Sequence, residues 1–245
     1  MALRFVGTHS NISSAVAQSR ISILDVLDRL EKFYGPQEPS FPTDPYEFLV
    51  FWYCGYPASD VACSKGWANL TRDLGIEPDK LLNAKPAKLA AALKAGGMVP
   101  ELRAERLKEL AMRVQDEFGG DLRAALVGPI AQARKKLKSF HSIADPGADR
   151  ILLFGGISPI AAVPSNCVHV LDRILHSNES KNYSVAYREA QRALAADLPE
   201  KFDVRARAYL LIKRHGQEIC KRTNPKCEKC PVRAQCAYVT SIVQS

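Results

Sequence analysis

The chain has 245 residues, 47% hydrophobic and 24% charged, with a formal net charge of +8. That length supports one large or two small hydrophobic cores, and the composition is that of an ordinary globular protein. No apolar run reaches the length of a bilayer-spanning helix, which excludes a helical membrane protein; the longest, around Phe48–Cys54, predicts a buried helix.

Apolar periodicity is helical almost throughout, and the alternation of half-buried strands is absent. Ile21–Phe33 places Ile23, Leu24, Leu27 and Leu30 on one face and stops at Gly35-Pro36. Thr43-Asp44-Pro45 supplies a cap and a first-turn proline for a helix running to about Cys54. Helices are then predicted over Asp60–Leu70, Pro86–Ala95, Glu101–Phe118, Ile130–Phe140 and Pro146–Phe154, three of them ended by Gly-Gly pairs. Asn166–Leu175, Tyr183–Ala196 and Pro199–Arg214 complete an all-α protein of roughly ten helices joined by short Gly/Pro turns. Met1–Ser10 lacks a charged segment followed by an apolar one, so export is not expected.

Near the C-terminus, Cys220, Cys227, Cys230 and Cys236 are separated by six, two and five residues. Four thiolates this close in one polar loop suit a single metal centre, either a tetrahedral zinc or an iron–sulfur cubane. Zinc sites usually show two short Cys-x-x-Cys knuckles, and this loop has one. The remaining Cys54, Cys63 and Cys167 read as small buried hydrophobes. Ligation by thiolates alongside unpaired cysteines points to a reducing cytoplasm.

The segment His215-Gly216-Gln217, then Cys220, Pro225, Cys227 and Cys230-Pro231, resembles the [4Fe-4S] loop of endonuclease III and its adenine-glycosylase relatives. The resemblance runs from about Ser22 to Ala237 and is tightest over the last quarter. It implies a structural [4Fe-4S] cluster on Cys220, Cys227, Cys230 and Cys236. It further implies a two-domain helix-hairpin-helix glycosylase fold, with a helical barrel (38–156) inserted into a cluster domain made of 1–37 and 157–245. Double-stranded DNA, damaged or abasic, is the implied partner of a monomeric, nucleoid-associated protein.

The family's hairpin, Leu-Pro-Gly-Val-Gly-x-Lys-Thr-Ala, matches Phe140-His141-Ser142-Ile143-Ala144-Asp145-Pro146-Gly147-Ala148. Ser142 and Ala144 stand where two glycines bring backbone amides to a phosphate, so the expectation is a close approach without the freedom to take positive φ. The family's Val-Asp-Thr-Asn motif matches Val163-Pro164-Ser165-Asn166. By this register Pro146 occupies the position of the Schiff-base lysine and Pro164 that of the catalytic aspartate, eighteen residues apart as in the family. Proline carries neither a titratable group nor an amide N–H, so neither position supports the family's chemistry. Asp145 reads as a helix N-cap, Asp172 and Arg173 as surface or interdomain charges, and none is named as a catalytic replacement.

Two loops that enter the duplex in active relatives match Gly55–Asp60, with Pro57 at the usual glutamine, and Ala95–Pro100, with Met98 as the candidate wedge. Between Lys213 and Arg233 stand seven basic residues against two glutamates. The expected DNA-contacting set is Lys221, Arg222 and Lys226 of that run, the Arg134, Lys135, Lys136 and Lys138 run, and the hairpin backbone at Ser142 and Ala144. The leading expectation is a DNA-binding relative without the standard glycosylase and lyase chemistry. The alternatives are an active glycosylase using a displaced carboxylate, and a module that keeps the cluster for protein interaction or redox response.

Overall fold

The computed structural model describes residues 22–176 and 179–244. The stretch Met1–Ser10 and most of the first segment of the expected cluster domain lie outside them. Thirteen α-helices and no strand occur among the described residues. They are α1 (Ile23–Tyr34), α2 (Pro45–Tyr53), α3 (Asp60–Asp73), α4 (Pro78–Asn83), α5 (Pro86–Leu93), α6 (Pro100–Phe118) and α7 (Leu122–Ala125), followed by α8 (Ile130–Lys138), α9 (Asp145–Phe154), α10 (Val168–Leu175), α11 (Tyr183–Asp197), α12 (Phe202–Glu218) and α13 (Ala237–Gln244). The all-α reading holds.

Local chemistry starts these helices close to where the sequence places them, α1 beginning at Ile23 rather than Ile21. The Ser22 hydroxyl accepts from the Asp25 amide at 3.1 Å, and the Asp44 carboxylate accepts from the Tyr46 and Glu47 amides at 2.9 and 3.2 Å, with Pro45 as the first helical residue. Gly35 ends α1 with φ +75°, a conformation that costs a side-chain-bearing residue steric strain. On α1 the buried stripe is Ile23, Val26, Leu27 and Leu30, the i, i+3, i+4, i+7 spacing of one helical face. Leu24 falls just outside that stripe and is exposed, which corrects its predicted place in the core.

Two hydrophobic cores result. The first gathers Phe48, Phe51, Leu93, Leu107, Leu137, Ile151 and their neighbours from α2 to α9. The second joins Ile23, Leu27 and Leu30 of α1 to Leu171, Leu211, Val232 and Cys236, so the two ends of the chain share one core. Cys54, Cys63 and Cys167 are buried, as read from the sequence.

The hairpin α8–turn–α9 hangs on residues from other helices. Tyr53 Oη donates to the His141 carbonyl at 2.9 Å, and Arg113 donates to the Ser139 carbonyl at 2.9 Å. Within this clamped turn Ser142 takes φ +61°, the left-handed conformation that serine was not expected to adopt. The surrounding contacts impose on Ser142 the geometry that glycine would supply at no steric cost. Asp145 is likewise corrected. It is the first residue of α9 rather than its cap, and its carboxylate pairs with Lys138 Nζ at 2.6 Å instead of capping the helix.

Ser142→Gly is expected to relieve the left-handed strain and raise stability by about 1 kcal/mol, seen as a higher denaturant midpoint at unchanged slope. A lowered midpoint would show that the Ser142 side chain contributes more than its backbone costs.

Candidate functional site

A cleft of about 460 Å³ opens between the two cores, lined by the loop after α2, the start of α3, the hairpin, the 164–167 turn, α11 and α12. Pro146 and Pro164 both line it, although they belong to different motifs. Ser142 and Ala144 lie on its hairpin side. Aromatic walls come from Trp52, Tyr56, Tyr183 and Tyr209, with the Trp52 and Tyr56 rings stacked at 4.2 Å between centroids. A cleft of this size with π-faces on its sides has the dimensions and surface of a small-ring binding site.

Charge enters the cleft from three helices. Asp60 of α3 accepts from Arg150 Nη2 of α9 at 2.8 Å and from the Lys213 ammonium of α12. Burial alone would push the Asp60 carboxyl up, but Arg150 and Lys213 together hold it below the usual carboxylate range. The Arg150 guanidinium lies 3.8 Å over the Phe41 ring, and its Nε–H has no acceptor among the described residues. Sequence reasoning did not single out Asp60, Arg150 or Lys213 as a set. Asp60 and Lys213 are 153 positions apart, so no local pattern signals the pairing.

Asp149, one turn into α9, is fully buried and plays a different part. It accepts from Arg134 Nε at 2.6 Å, Tyr187 Oη at 2.8 Å and Gln191 Nε2 at 2.8 Å. One carboxylate thereby ties α8, α9 and α11 together. Arg134 is therefore engaged inside the fold. Lys136 Nζ donates to the Ala125 carbonyl at 2.6 Å, and Lys138 is paired with Asp145. Lys135 is exposed.

Beside the cleft, the 96–99 loop presents Met98 and Val99 to solvent, 83% and 56% exposed. Val99 holds φ +48°, a strained value for a β-branched residue. The loop is pinned from behind by Arg103, a buried cation that makes no salt bridge among the described residues. Its guanidinium donates to the carbonyls of Met98 (3.1 Å), Leu93 (3.0 Å), Gly97 (2.7 Å) and Cys54. Gly96 is required here, since a Cβ would fall 1.8 Å from the Cys54 carbonyl oxygen. The wedge candidate therefore stands on a braced loop.

In the C-terminal loop, Cys220, Cys227, Cys230 and Cys236 line one common cavity with Arg173, His215 and Pro225. Arg173 donates to the Lys221 and Arg222 carbonyls at 2.7 and 2.9 Å and lies 3.7 Å from Cys220 Sγ. His215 is fully buried between Tyr34 Oη (3.0 Å) and Cys230 Sγ (3.6 Å). Gly216 lets α12 press on the 165–167 turn and on α10, because a Cβ there would meet Cys167 Sγ at 2.6 Å and Val170 Cγ2 at 3.0 Å. Asp172 and Arg173, read as surface or interdomain charges, are both buried: Asp172 accepts from the Ser180 amide at 3.2 Å and Arg173 braces the cysteine loop. With their carbonyls drawn inward, Lys221 and Arg222 turn their side chains to solvent, and Lys226 is exposed beside them.

A helix-hairpin-helix thus stands beside a cleft between two helical cores and is followed by a four-cysteine loop. No family model matches the chain. It is 26% identical to an endonuclease III of Thermotoga maritima over 196 residues, covering 80% of this chain and 84% of that protein. A thymine-DNA glycosylase of Aeropyrum pernix is 23% identical over 161 residues, 66% of this chain and 68% of its own. Among solved structures, a non-covalent endonuclease III–DNA complex superposes with a TM-score of 0.69 at 18% identity, covering 91% of this chain and 97% of that one. A thermostable thymine-DNA glycosylase superposes at 0.70 with 21% identity, covering 89% and 96%. The chain thus has the all-helical fold of endonuclease III and thymine-DNA glycosylase and is similar to both in sequence.

Arg103→Met preserves the aliphatic stem but strips the donors from four carbonyls. It is expected to cost at least about 2 kcal/mol, the scale of buried acceptors left without partners, and to speed amide exchange at Gly97–Val99. Unchanged stability and exchange would show that the loop holds its shape without the arginine.

Proposed function

We propose that this chain is a DNA-binding, [4Fe-4S]-carrying member of the endonuclease III-like helix-hairpin-helix superfamily that recognises damaged or abasic duplex without releasing bases by the family's lysine and aspartate route. One observation carries this reading: Pro146 and Pro164, matched to the amine and the carboxylate by separate motifs, line the same cleft. At both positions the side chain is a hydrocarbon ring, so the charge that develops at C1′ during base release would meet no carboxylate there. The cleft, its aromatic walls and the braced Met98 loop remain suited to an extruded nucleotide and to filling the gap it leaves. Similarity to endonuclease III–DNA complexes and to DNA glycosylases favours duplex DNA as the partner. No described helix is long and apolar enough to cross a membrane. The two cores favour a division into a barrel and a cluster domain.

The four thiols fit the cluster better than they fit zinc. They line one cavity, and their spacing contains a single short Cys-x-x-Cys knuckle where structural zinc sites usually show two. Cys220, Cys227, Cys230 and Cys236 would hold it, with Arg173 and His215 placed against two of the sulfurs. When bound, the cluster cross-links the loop, which fixes the direction of Lys221, Arg222 and Lys226.

Anaerobically purified protein is expected to contain about four irons per chain with matching sulfide. Stoichiometric zinc without iron would contradict the assignment. Duplex binding is expected to weaken linearly with log salt, and reversing Lys221 and Arg222 to glutamate should flatten the slope by about 0.9 for each phosphate no longer neutralised. Duplexes bearing single damaged bases are expected to be bound without release of free base. Affinity and slope untouched by the reversals, or base release above background by the unmodified protein, would overturn this function.

A further inference from the structure

Beyond the two prolines, the cleft contains an amine and a carboxylate that belong to neither motif. Lys213 lines the same space as Pro146 and Pro164, and its ammonium donates to Asp60 Oδ2. The two side chains keep 17% and 22% of their surface exposed, so both remain accessible from the cleft. Arg150, the third member, is only 5% exposed and is fixed over Phe41. The arginine thus anchors the carboxylate, and Lys213 is the member with an open side. Burial and the neighbouring guanidinium push the Lys213 ammonium below its ordinary value, against the pull of Asp60. An amine desolvated beside another cation, with a carboxylate in hydrogen-bond reach, has the arrangement that activates a lysine as a nucleophile.

We propose that Lys213 is a nucleophilic amine that captures the aldehyde of a ring-opened abasic sugar, with Asp60 shuttling the protons; the proposal rests on the DNA-binding function above. Lys213 passes one proton to Asp60, and the freed Nζ lone pair adds to the aldehyde carbon. The carbonyl π pair moves to oxygen, which takes a proton from the nitrogen to give a carbinolamine. Asp60 returns its proton to the hydroxyl, water departs, and the nitrogen lone pair closes a C=N bond. The net change is ammonium plus aldehyde to protonated imine plus water, with no oxidation or reduction and no base released. The protonated imine stays beside the regenerated Asp60 carboxylate, so the cation lost in the ammonium is replaced in place. Because only an aldehyde is needed, this step is compatible with prolines at both family positions.

A purely structural role makes a different prediction. If Lys213 only staples α12 to α3 through Asp60, no covalent adduct forms on it. The test incubates the intact protein with a duplex carrying one natural abasic site, adds borohydride to reduce the imine to a stable secondary amine, and maps the cross-linked peptide by mass spectrometry. The expected result is a covalent adduct on Lys213 in the unmodified protein. Lys213→Arg, which keeps the ion pair with Asp60, should still bind the abasic duplex and lose trapping. Asp60→Asn should trap more slowly at the same residue. Three outcomes would each overturn the proposal: binding of the abasic duplex with no adduct, an adduct mapped to another lysine, or trapping by Lys213→Arg equal to that of the unmodified protein. Failure to bind duplex at all would instead remove the functional reading beneath it.

Discussion

One carboxylate shared between two cations, Asp60 between Arg150 and Lys213, fixes the relation of the two cores and the shape of the cleft between them. Its three members come from α3, α9 and α12, so two helices of the first core and the helix leading into the cysteine loop are joined at one point. A partly buried charge that loses its partners costs several kcal/mol, which makes this junction a strong constraint on any rearrangement of the walls. Arg150 serves twice, since its guanidinium also lies on the Phe41 and Phe48 rings. Electrostatics and aromatic packing thereby set the cleft floor together.

The same logic of a buried cation bracing a functional loop recurs twice. Arg103 gathers the carbonyls behind Met98, and Arg173 gathers those of Lys221 and Arg222. Each converts a short irregular segment into a rigid platform whose outer face is chemically useful, apolar in the first case and cationic in the second. Arginine suits this task because its planar fork reaches several acceptors at once. The hairpin is held differently, by Tyr53 and Arg113 on its carbonyls, and that external clamp is what allows Ser142 to stand in the left-handed region.

Much of the fold was legible because it is local. The Asp44 cap, first-turn prolines and 3.6-residue periodicity place most helices within a few residues of where they form. The cysteine spacing pointed to one centre, and two motifs in register placed Pro146 and Pro164 at the family's two catalytic positions, both of which line the cleft. The short helices α4, α7 and α13 escaped notice, being too brief or too weakly patterned for a periodic signal. Tertiary partnerships stayed hidden as well: the burial of Asp172 and Arg173, the capture of Arg134 by Asp149, the Arg103 brace and the Asp60–Lys213 pair. All depend on residues brought together across the chain, and a basic residue in sequence gives no sign of whether its charge faces solvent or a buried carboxylate.

The proposed reading, damage recognition without the family's base-release chemistry, should show itself in selectivity rather than turnover. The most direct measurement is the affinity ratio, at fixed salt, between a duplex carrying one reduced abasic site and the same duplex undamaged. The reduced sugar has no aldehyde, so the ratio reports recognition alone. An unpaired sugar is cheap to extrude into the cleft while Met98 fills the gap, so the damaged duplex should bind at least about tenfold more tightly. Equal affinities would mean that the cleft plays no part in binding and that the chain holds DNA only through its cationic surface.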